Sequence, residues 1–245
     1  MYFYIVLSIL FTFPLFCKTT TLKNRFEKAK GGEFIVTQKD KTLTLLTHQR
    51  LVSPDRIFLQ EISVPKSAIS FPSNWQEWIN RYAPGHHSWT LYEIDSSSGV
   101  LISCFSASKG EWLSISGEAS FLSKLLQLAL WEVPDINKKR IGPTPGKKSH
   151  DYRQIWAPLL VYHGKSQEKP CFDVFETFWP SDGSDLSHAH ITLYFDKKNL
   201  SFPFPYWMQV DNGIGRSTIR IIDSGTGLRS IFSDMPRQKL SNGAM

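Results

Sequence analysis

One stretch of the sequence, residues 171–223, constrains the fold more than any other. It consists of four β-rich runs separated by three turn signals. The clearest turn is Asn212-Gly213, because a type I′ hairpin needs positive φ at two successive residues. A two-residue turn there predicts one mainly apolar and one polar side for the hairpin. The predicted facing pairs are Val210 with Gly215, Met208 with Ser217, Tyr206 with Ile219, Gln209 with Arg216 and Trp207 with Thr218.

The rest of the chain predicts further strands and two helices. Amphipathic periodicity indicates helices at Ser73–Ala83 and Glu118–Val133, the second apolar around more than half its circumference. These elements together predict an α+β fold that is mostly antiparallel β. We expect a curved sheet or half-barrel, with the two main helices packed against one face. A single β-rich domain should span 33–228, with an exposed loop at 134–152 and a C-terminal tail at 229–245.

The N-terminal segment, residues 1–17, carries no charged side chain and is almost wholly apolar. An apolar run of this length at the N-terminus is typical of a secretory signal peptide, and a retained N-terminal anchor is the alternative. Cys17 occupies the position of a lipoprotein cysteine, so it is a candidate for lipidation, but Phe16 before it is larger than that signal prefers. The sequence therefore predicts an exported protein, either periplasmic or membrane-associated on the outer side of the inner membrane.

Positive charge is concentrated directly after this segment. Residues 18–30 carry a net charge of +4 out of +6 for the whole chain, so the remainder is close to neutral. This distribution argues against nucleic acid, which requires basic residues grouped on a folded face. We expect residues 18–32 to form a basic flexible tail. Residues 18–30 would either be solvated or contact an anionic membrane surface.

No catalytic motif and no cofactor-binding motif is present, so we assign no catalytic residue and expect no cofactor. His188 and His190 are two residues apart in a predicted strand, which would place both rings on one face and suits two ligands of a zinc site. A zinc-dependent hydrolase would need further ligands, for which His86, His87 and Glu176 are available. Two exposed imidazoles on a polar sheet face are the simpler interpretation. Cys104 and Cys171 predict either one disulfide or two buried thiols.

Aromatic residues make up 13% of the chain and include eight tryptophans. Most should fill a core, since aromatic side chains bury the largest areas. A sheet that is apolar on both faces, covered by an apolar helix, could also enclose a site for an acyl chain. The candidate lining residues are Trp75, Trp78, Phe121, Leu125, Phe175, Phe178 and Trp207.

The segment ITLYFDKKNLSFPFPYWMQVDNGIGRSTIRIID, residues 191–223, resembles the C-terminal strands of the bacterial outer-membrane lipoprotein carrier (lipoprotein-sorting) family. The shared pattern is a strand, an Asp-containing turn, a Pro-containing strand, a Gly turn and a final strand. The resemblance implies a curved antiparallel sheet with helices on its apolar side, and a role in handling lipid or lipoprotein acyl chains. The alternative is a structural or interaction module that binds an envelope protein through a sheet edge or the face formed by Trp207, Arg216 and Arg220.

Overall fold

The computed structural model describes residues 19–49, 55–69, 74–113, 121–146 and 151–232. It contains three α-helices in this part of the chain: α1 Leu22–Lys28, α2 Trp75–Asn80 and α3 Phe121–Gln127. A 3₁₀ turn occupies Lys66–Ala68. The strands are β1 Thr19–Thr21, β2 Phe34–Lys39, β3 Thr42–Gln49, β4 Arg56–Pro65, β5 Ser88–Asp95, β6 Leu101–Ser106, β7 Glu111–Trp112, β8 Ala129–Glu132, β9 Val161–Tyr162, β10 Lys165–Ser166, β11 Phe172–Phe178, β12 His190–Asp196, β13 Trp207–Asp211 and β14 Arg216–Gly225.

Twelve of these strands form one sheet in the order β1-β8-β11-β12-β13-β14-β2-β3-β4-β5-β6-β7. Every pairing between neighbours is antiparallel. Most neighbours in space are also neighbours in sequence, as hairpin connections require. The predicted fold class, α+β with a curved, mostly antiparallel sheet, is confirmed.

The hairpin between β13 and β14 forms, but its turn is longer than predicted. Met208 faces Ile219 and Val210 faces Ser217, so four residues, Asn212 to Gly215, form the loop. The Asn212 side-chain oxygen accepts the backbone N–H groups of Ile214 and Gly215, which stabilises this longer turn. The register therefore differs from the prediction by two residues. Because side chains alternate with a period of two, each residue still points to the predicted face.

The predicted helix at Glu118–Val133 ends earlier than expected. The described part of the helix ends at Gln127, and Ala129–Glu132 form strand β8 between β1 and β11. A short apolar run fits a buried helix or a strand equally well by periodicity. Here the open edges of β1 and β11 supply backbone partners for residues 129–132, so pairing replaces the last helical turn.

The prediction of a basic flexible tail at residues 18–32 is wrong for its described part. Thr19–Thr21 pair with β8, and the Thr21 hydroxyl caps α1 by accepting the Asn24 backbone N–H at 3.1 Å. Leu22, Arg25 and Phe26 are buried, because they lie three and four residues apart on one helical face. The membrane-contact hypothesis therefore loses Arg25, while Lys28 and Lys30 remain exposed.

Around strands β2 to β4, two apolar cores lie on opposite faces of the sheet. At β11 the larger core includes the neighbouring residues Val174 and Phe175, so there it covers both faces. On β2, Ile35 belongs to one core, whereas its neighbours Phe34 and Val36 belong to the other. We call the face carrying Ile35 the inner face and the opposite face the outer face. Residues of β4 and β12 share the inner core although four strands separate them, so the sheet curves toward this side.

The predicted placement of both main helices on one face is wrong. Helix α3 packs on the inner core and α2 on the outer core. Helix α2 is capped by Asn74, whose side chain accepts the N–H groups of Gln76 and Glu77, whereas Ser73, where the predicted helix begins, lies outside the described residues. The second helix on the inner side is α1, which contacts α3.

Several predictions fall on residues that the structure does not describe or describes in part. The leader at 1–17, with Cys17, lies outside the described residues, as do residues 233–245. Within the described ranges, no helix has the length and apolar character needed to cross a bilayer. The first residues of the predicted C-terminal tail are packed: Phe232 lies edge-on to Trp89, and the Ser230 hydroxyl donates to Gln60.

Candidate functional site

Helices α1 and α3 form a thin layer over the inner face of the sheet. Each spans seven described residues, about two turns. Both are tied to the turn between β5 and β6. The Lys23 ammonium of α1 donates to the Ser97 carbonyl at 2.8 Å, and the Ser123 hydroxyl of α3 donates to the Gly99 carbonyl and accepts the Leu101 N–H.

A second set of contacts joins α3 to the loop after β11. Lys124 pairs with Asp182 at 2.6 Å, and the Phe121 ring stacks on Trp179 at 5.2 Å between centroids. The Trp179 indole N–H also donates to Asp182. Hydrogen bonds from Lys124 and Ser184 hold the pKa of Asp182 far below its usual value, so this carboxylate stays charged. One ion pair and one aromatic stack thus hold α3 against the loop after β11.

Arg25 is the unusual residue of the layer. Only 7% of its surface is exposed, and its guanidinium carbon lies 3.7 Å from the centroid of Phe195 and 5.5 Å from that of Phe175. Its Nε and Nη1 atoms are buried and make no hydrogen bond. Burial lowers the pKa of Arg25 from 12.5 to about 10, although nearby Asp173 acts in the opposite direction. The guanidinium is therefore a charged donor group that the protein itself leaves partly unsatisfied.

The carboxylates near Arg25 already have other partners. Asp173 is on β11, directly across from Phe195 of β12, and its carboxylate lies 3.9 Å from the Lys197 ammonium. Arg25 forms no ion pair with any carboxylate among the described residues. A buried arginine without a carboxylate is uncommon, since buried charges are normally paired.

A second unsatisfied group, His48 on β3, lies beside α1. Its Nδ1 atom is 3.0 Å from the Glu33 carboxylate, and its ring packs edge-on to Phe26 at 5.3 Å. Its Nε2 atom is buried and has no hydrogen-bond partner. Burial tends to raise the pKa of Glu33, but hydrogen bonds from His48 and the Lys30 backbone outweigh it and leave that pKa below its usual value. Glu33 is therefore ionised and committed to His48.

The seven predicted lining residues are not all brought together. Leu125 and Phe175 lie in the inner core, and Phe121 covers Trp179 at its edge. Trp207 is half-buried against Trp156 at 5.2 Å. The remaining three lie elsewhere: Trp75 and Trp78 in the outer core, and Phe178 exposed at the end of β11.

The outer-core tryptophan Trp75 has a structural partner. Its indole N–H donates to the buried Asp223 carboxylate at 2.7 Å, and Asp223 also accepts the Gly164 and Ser224 N–H groups. This network joins α2, β14 and the loop after β9. Trp75 therefore fixes the packing of the outer face and does not line the inner layer.

His188 and His190 do not share a strand face. His188 has φ of 64° and is exposed, because the extended backbone of β12 begins only at His190. His190 lies 3.3 Å from Glu176 and 5.0 Å from the Phe178 ring. Within the described ranges, no three His, Cys, Asp or Glu side chains are grouped as a metal site would require. Cys104 and Cys171 are free thiols, the first buried and the second exposed.

Sequence reasoning missed Arg25 and His48. The signal for Arg25 was present: Leu22, Arg25 and Phe26 are spaced as one face of a helix, so a folded α1 must bury all three together. The run of basic residues drew attention to charge instead. His48 gave a weaker signal, because it is a single histidine near the end of strand β3.

Comparison with known proteins identifies a shared fold and a protein family. A 2.0 Å structure of a hypothetical protein, CT021 from Chlamydia trachomatis, matches with a TM-score of 0.60 and 17% sequence identity, covering 90% of this chain and 100% of that one. At this identity the match shows a shared fold. No curated protein matches the chain. The family model described as CT021 protein matches residues 44–168, about half of the chain, and the chain belongs to that family.

Proposed function

We propose that this member of the CT021 family is an exported, non-enzymatic cell-envelope protein that binds an apolar ligand, a lipid or lipoprotein acyl chain. The binding site lies between helices α1 and α3 and the inner face of the sheet. The observation that carries the proposal is the thinness of this cover: two helices, each with seven described residues, close an apolar, aromatic-rich sheet face.

Helices of this length are not stable by themselves, since isolated helices need about 12–15 residues even in favourable sequences. Their position depends on a few buried side chains and on surface ties such as Lys23 to Ser97 and Lys124 to Asp182. Separating α1 and α3 from the sheet breaks these ties and exposes the buried side chains of the two helices together with the rings of Phe175 and Phe195. An acyl chain would replace the lost apolar contacts at about 0.8 kcal/mol for each buried methylene.

The proposal is tested by extracting the purified full-length chain with organic solvent and analysing the extract by mass spectrometry. Delipidated protein is then titrated with a neutral hydrophobic dye, and the dye is displaced with long-chain alcohols and fatty acids. We expect copurified lipid or saturable, displaceable dye binding. An empty extract together with the absence of saturable binding would show that the proposal is wrong.

A matched pair of variants locates the site. Leu125→Trp adds volume to the inner core, whereas Leu45→Trp adds the same volume class to the outer core. Both should cost about 1–3 kcal/mol of stability through overpacking. Only Leu125→Trp should weaken ligand binding, because Leu125 of α3 is buried between the helical layer and the sheet, whereas Leu45 is buried in the outer core. Equal binding by both variants would place the ligand elsewhere.

A second function is favoured by the exposed end of the β13–β14 hairpin. Residues Arg216 to Arg220 are exposed on both sides of the sheet, and the loop residue Ile214 is 96% exposed. An envelope protein could bind this hairpin and the face that includes Trp207. Binding of such a partner by protein that binds no lipid would favour this interaction module.

A further inference from the structure

We infer that Arg25 receives the anionic headgroup of the ligand, so that the ligand class is a single acyl chain ending in a carboxylate or phosphate. This inference rests on the proposed function. It adds that the ligand carries negative charge, and that its charged end lies inside the protein next to α1.

The first support is the state of the guanidinium. Arg25 is more than nine-tenths buried, yet its Nε and Nη1 atoms meet no acceptor in the protein. Buried polar groups in native structures almost always have a partner. A carboxylate or phosphate oxygen is the acceptor that a guanidinium binds most strongly, because both groups are charged.

The second support is the local charge balance. Asp173 is close enough to raise the pKa of Arg25, but among the described residues no carboxylate forms an ion pair with the guanidinium. The guanidinium therefore has no direct ion-pair partner in its apolar environment. A ligand with one negative charge would neutralise it.

The third support is what surrounds the guanidinium. The Arg25 guanidinium lies over the Phe195 ring and close to Phe175, both of which belong to the inner core together with Leu125. The acyl chain of a ligand whose headgroup binds Arg25 would therefore lie among apolar side chains. This arrangement suits an amphipathic molecule, whereas an inorganic anion would leave the aromatic surface unused.

The test compares three ligands with the same sixteen-carbon chain: hexadecanoate, hexadecyl phosphate and neutral hexadecanol. The two anions are kept below their micelle concentrations and the alcohol below its solubility limit. Affinities for the delipidated full-length chain are measured by dye displacement. We expect wild-type protein to bind at least one of the two anions about tenfold or more tightly than the alcohol, since charge-assisted hydrogen bonds to a buried partner are lost with the alcohol. The stronger of the two anions identifies the headgroup.

Variants assign the preference to Arg25. Arg25→Met keeps the apolar stem and removes the charge, so it should bind all three ligands with the affinity that wild-type protein shows for the alcohol. The control is Arg220→Met, which removes an exposed arginine of β14 and should keep the wild-type preference.

Each outcome has a distinct meaning. Equal affinity of wild-type protein for anions and alcohol would overturn the headgroup inference and leave the proposed function intact. Binding of none of the three would instead contradict the proposed function. An anion preference that survives in Arg25→Met would assign the headgroup to another residue and overturn the inference, and the wild-type comparison stands even if that variant does not fold.

Discussion

Replacing Arg25 by methionine should stabilise the ligand-free protein. The pKa of Arg25 falls from 12.5 in water to about 10 in the fold. At about 1.4 kcal/mol for each tenfold change, the charged guanidinium costs the folded state on the order of 3 kcal/mol. This cost is fully present at neutral pH, below the folded pKa, and is relieved only as the pH rises from about 10 toward 12.5.

The methionine variant removes this cost but also loses the cation–π contact with Phe195, worth roughly 0.5–2 kcal/mol. Its unbranched side chain keeps most of the packing made by the arginine stem. We therefore expect a net gain of about 1–3 kcal/mol in the free energy of unfolding. Exchanging a poorly compensated buried charge for a hydrophobic side chain of similar size commonly has this effect.

Urea unfolding of delipidated protein at pH 7, followed by tryptophan fluorescence, measures the change. Arg220→Met serves as the control and should lie within about 0.5 kcal/mol of wild type, because Arg220 is an exposed surface residue. A loss of more than about 1 kcal/mol in Arg25→Met would refute the reasoning. It would show that the guanidinium is well satisfied in the fold and stabilises it.

Three further results are expected. Leu125→Ala should lower the free energy of unfolding by about 2–5 kcal/mol, since Leu125 is buried in the inner core, and a loss below 1 kcal/mol in urea titration would contradict the packing described. The lowered pKa of Glu33 contributes stability above its unfolded value of 4.5 that disappears as pH falls through the folded pKa, so Glu33→Gln should flatten the pH dependence of urea unfolding below about pH 4.5, and an unchanged slope would disprove it. Trp75→Phe should lower the free energy of unfolding by about 1–3 kcal/mol in thermal unfolding, because it removes a donor from buried Asp223. An unchanged free energy of unfolding would mean that another group satisfies that carboxylate.

Local patterns predicted most of the sheet. The four β-rich runs of residues 171–223 form β11 to β14, and the period of two set the faces of β13 and β14 correctly even though the turn at Asn212 is two residues longer than expected. The reason is that burial of one face strongly specifies which alternate residues of a strand point toward the core. Turn length depends instead on side-chain hydrogen bonds inside the loop.

Features that depend on distant partners were not predictable in the same way. Residues 129–132 became a strand because β1 and β11 offered edges to pair with, and β1 itself lies in a region whose basic composition suggested a flexible tail. The face on which α2 packs follows from Trp75 meeting Asp223, 148 residues later in the chain. Arg25 became a candidate site residue only once α1 was seen against Phe195.

A crystal structure of the complex with a bromine-labelled fatty acid tests the central claim most directly, because anomalous scattering locates the far end of the chain independently of the protein. The account predicts the headgroup within hydrogen-bond distance of Arg25 Nε or Nη1, and the bromine in the inner layer among the neighbours of Leu125 and Phe175. A fatty acid bound on the outer face, or an Arg25 guanidinium still without an acceptor in the occupied protein, would contradict it.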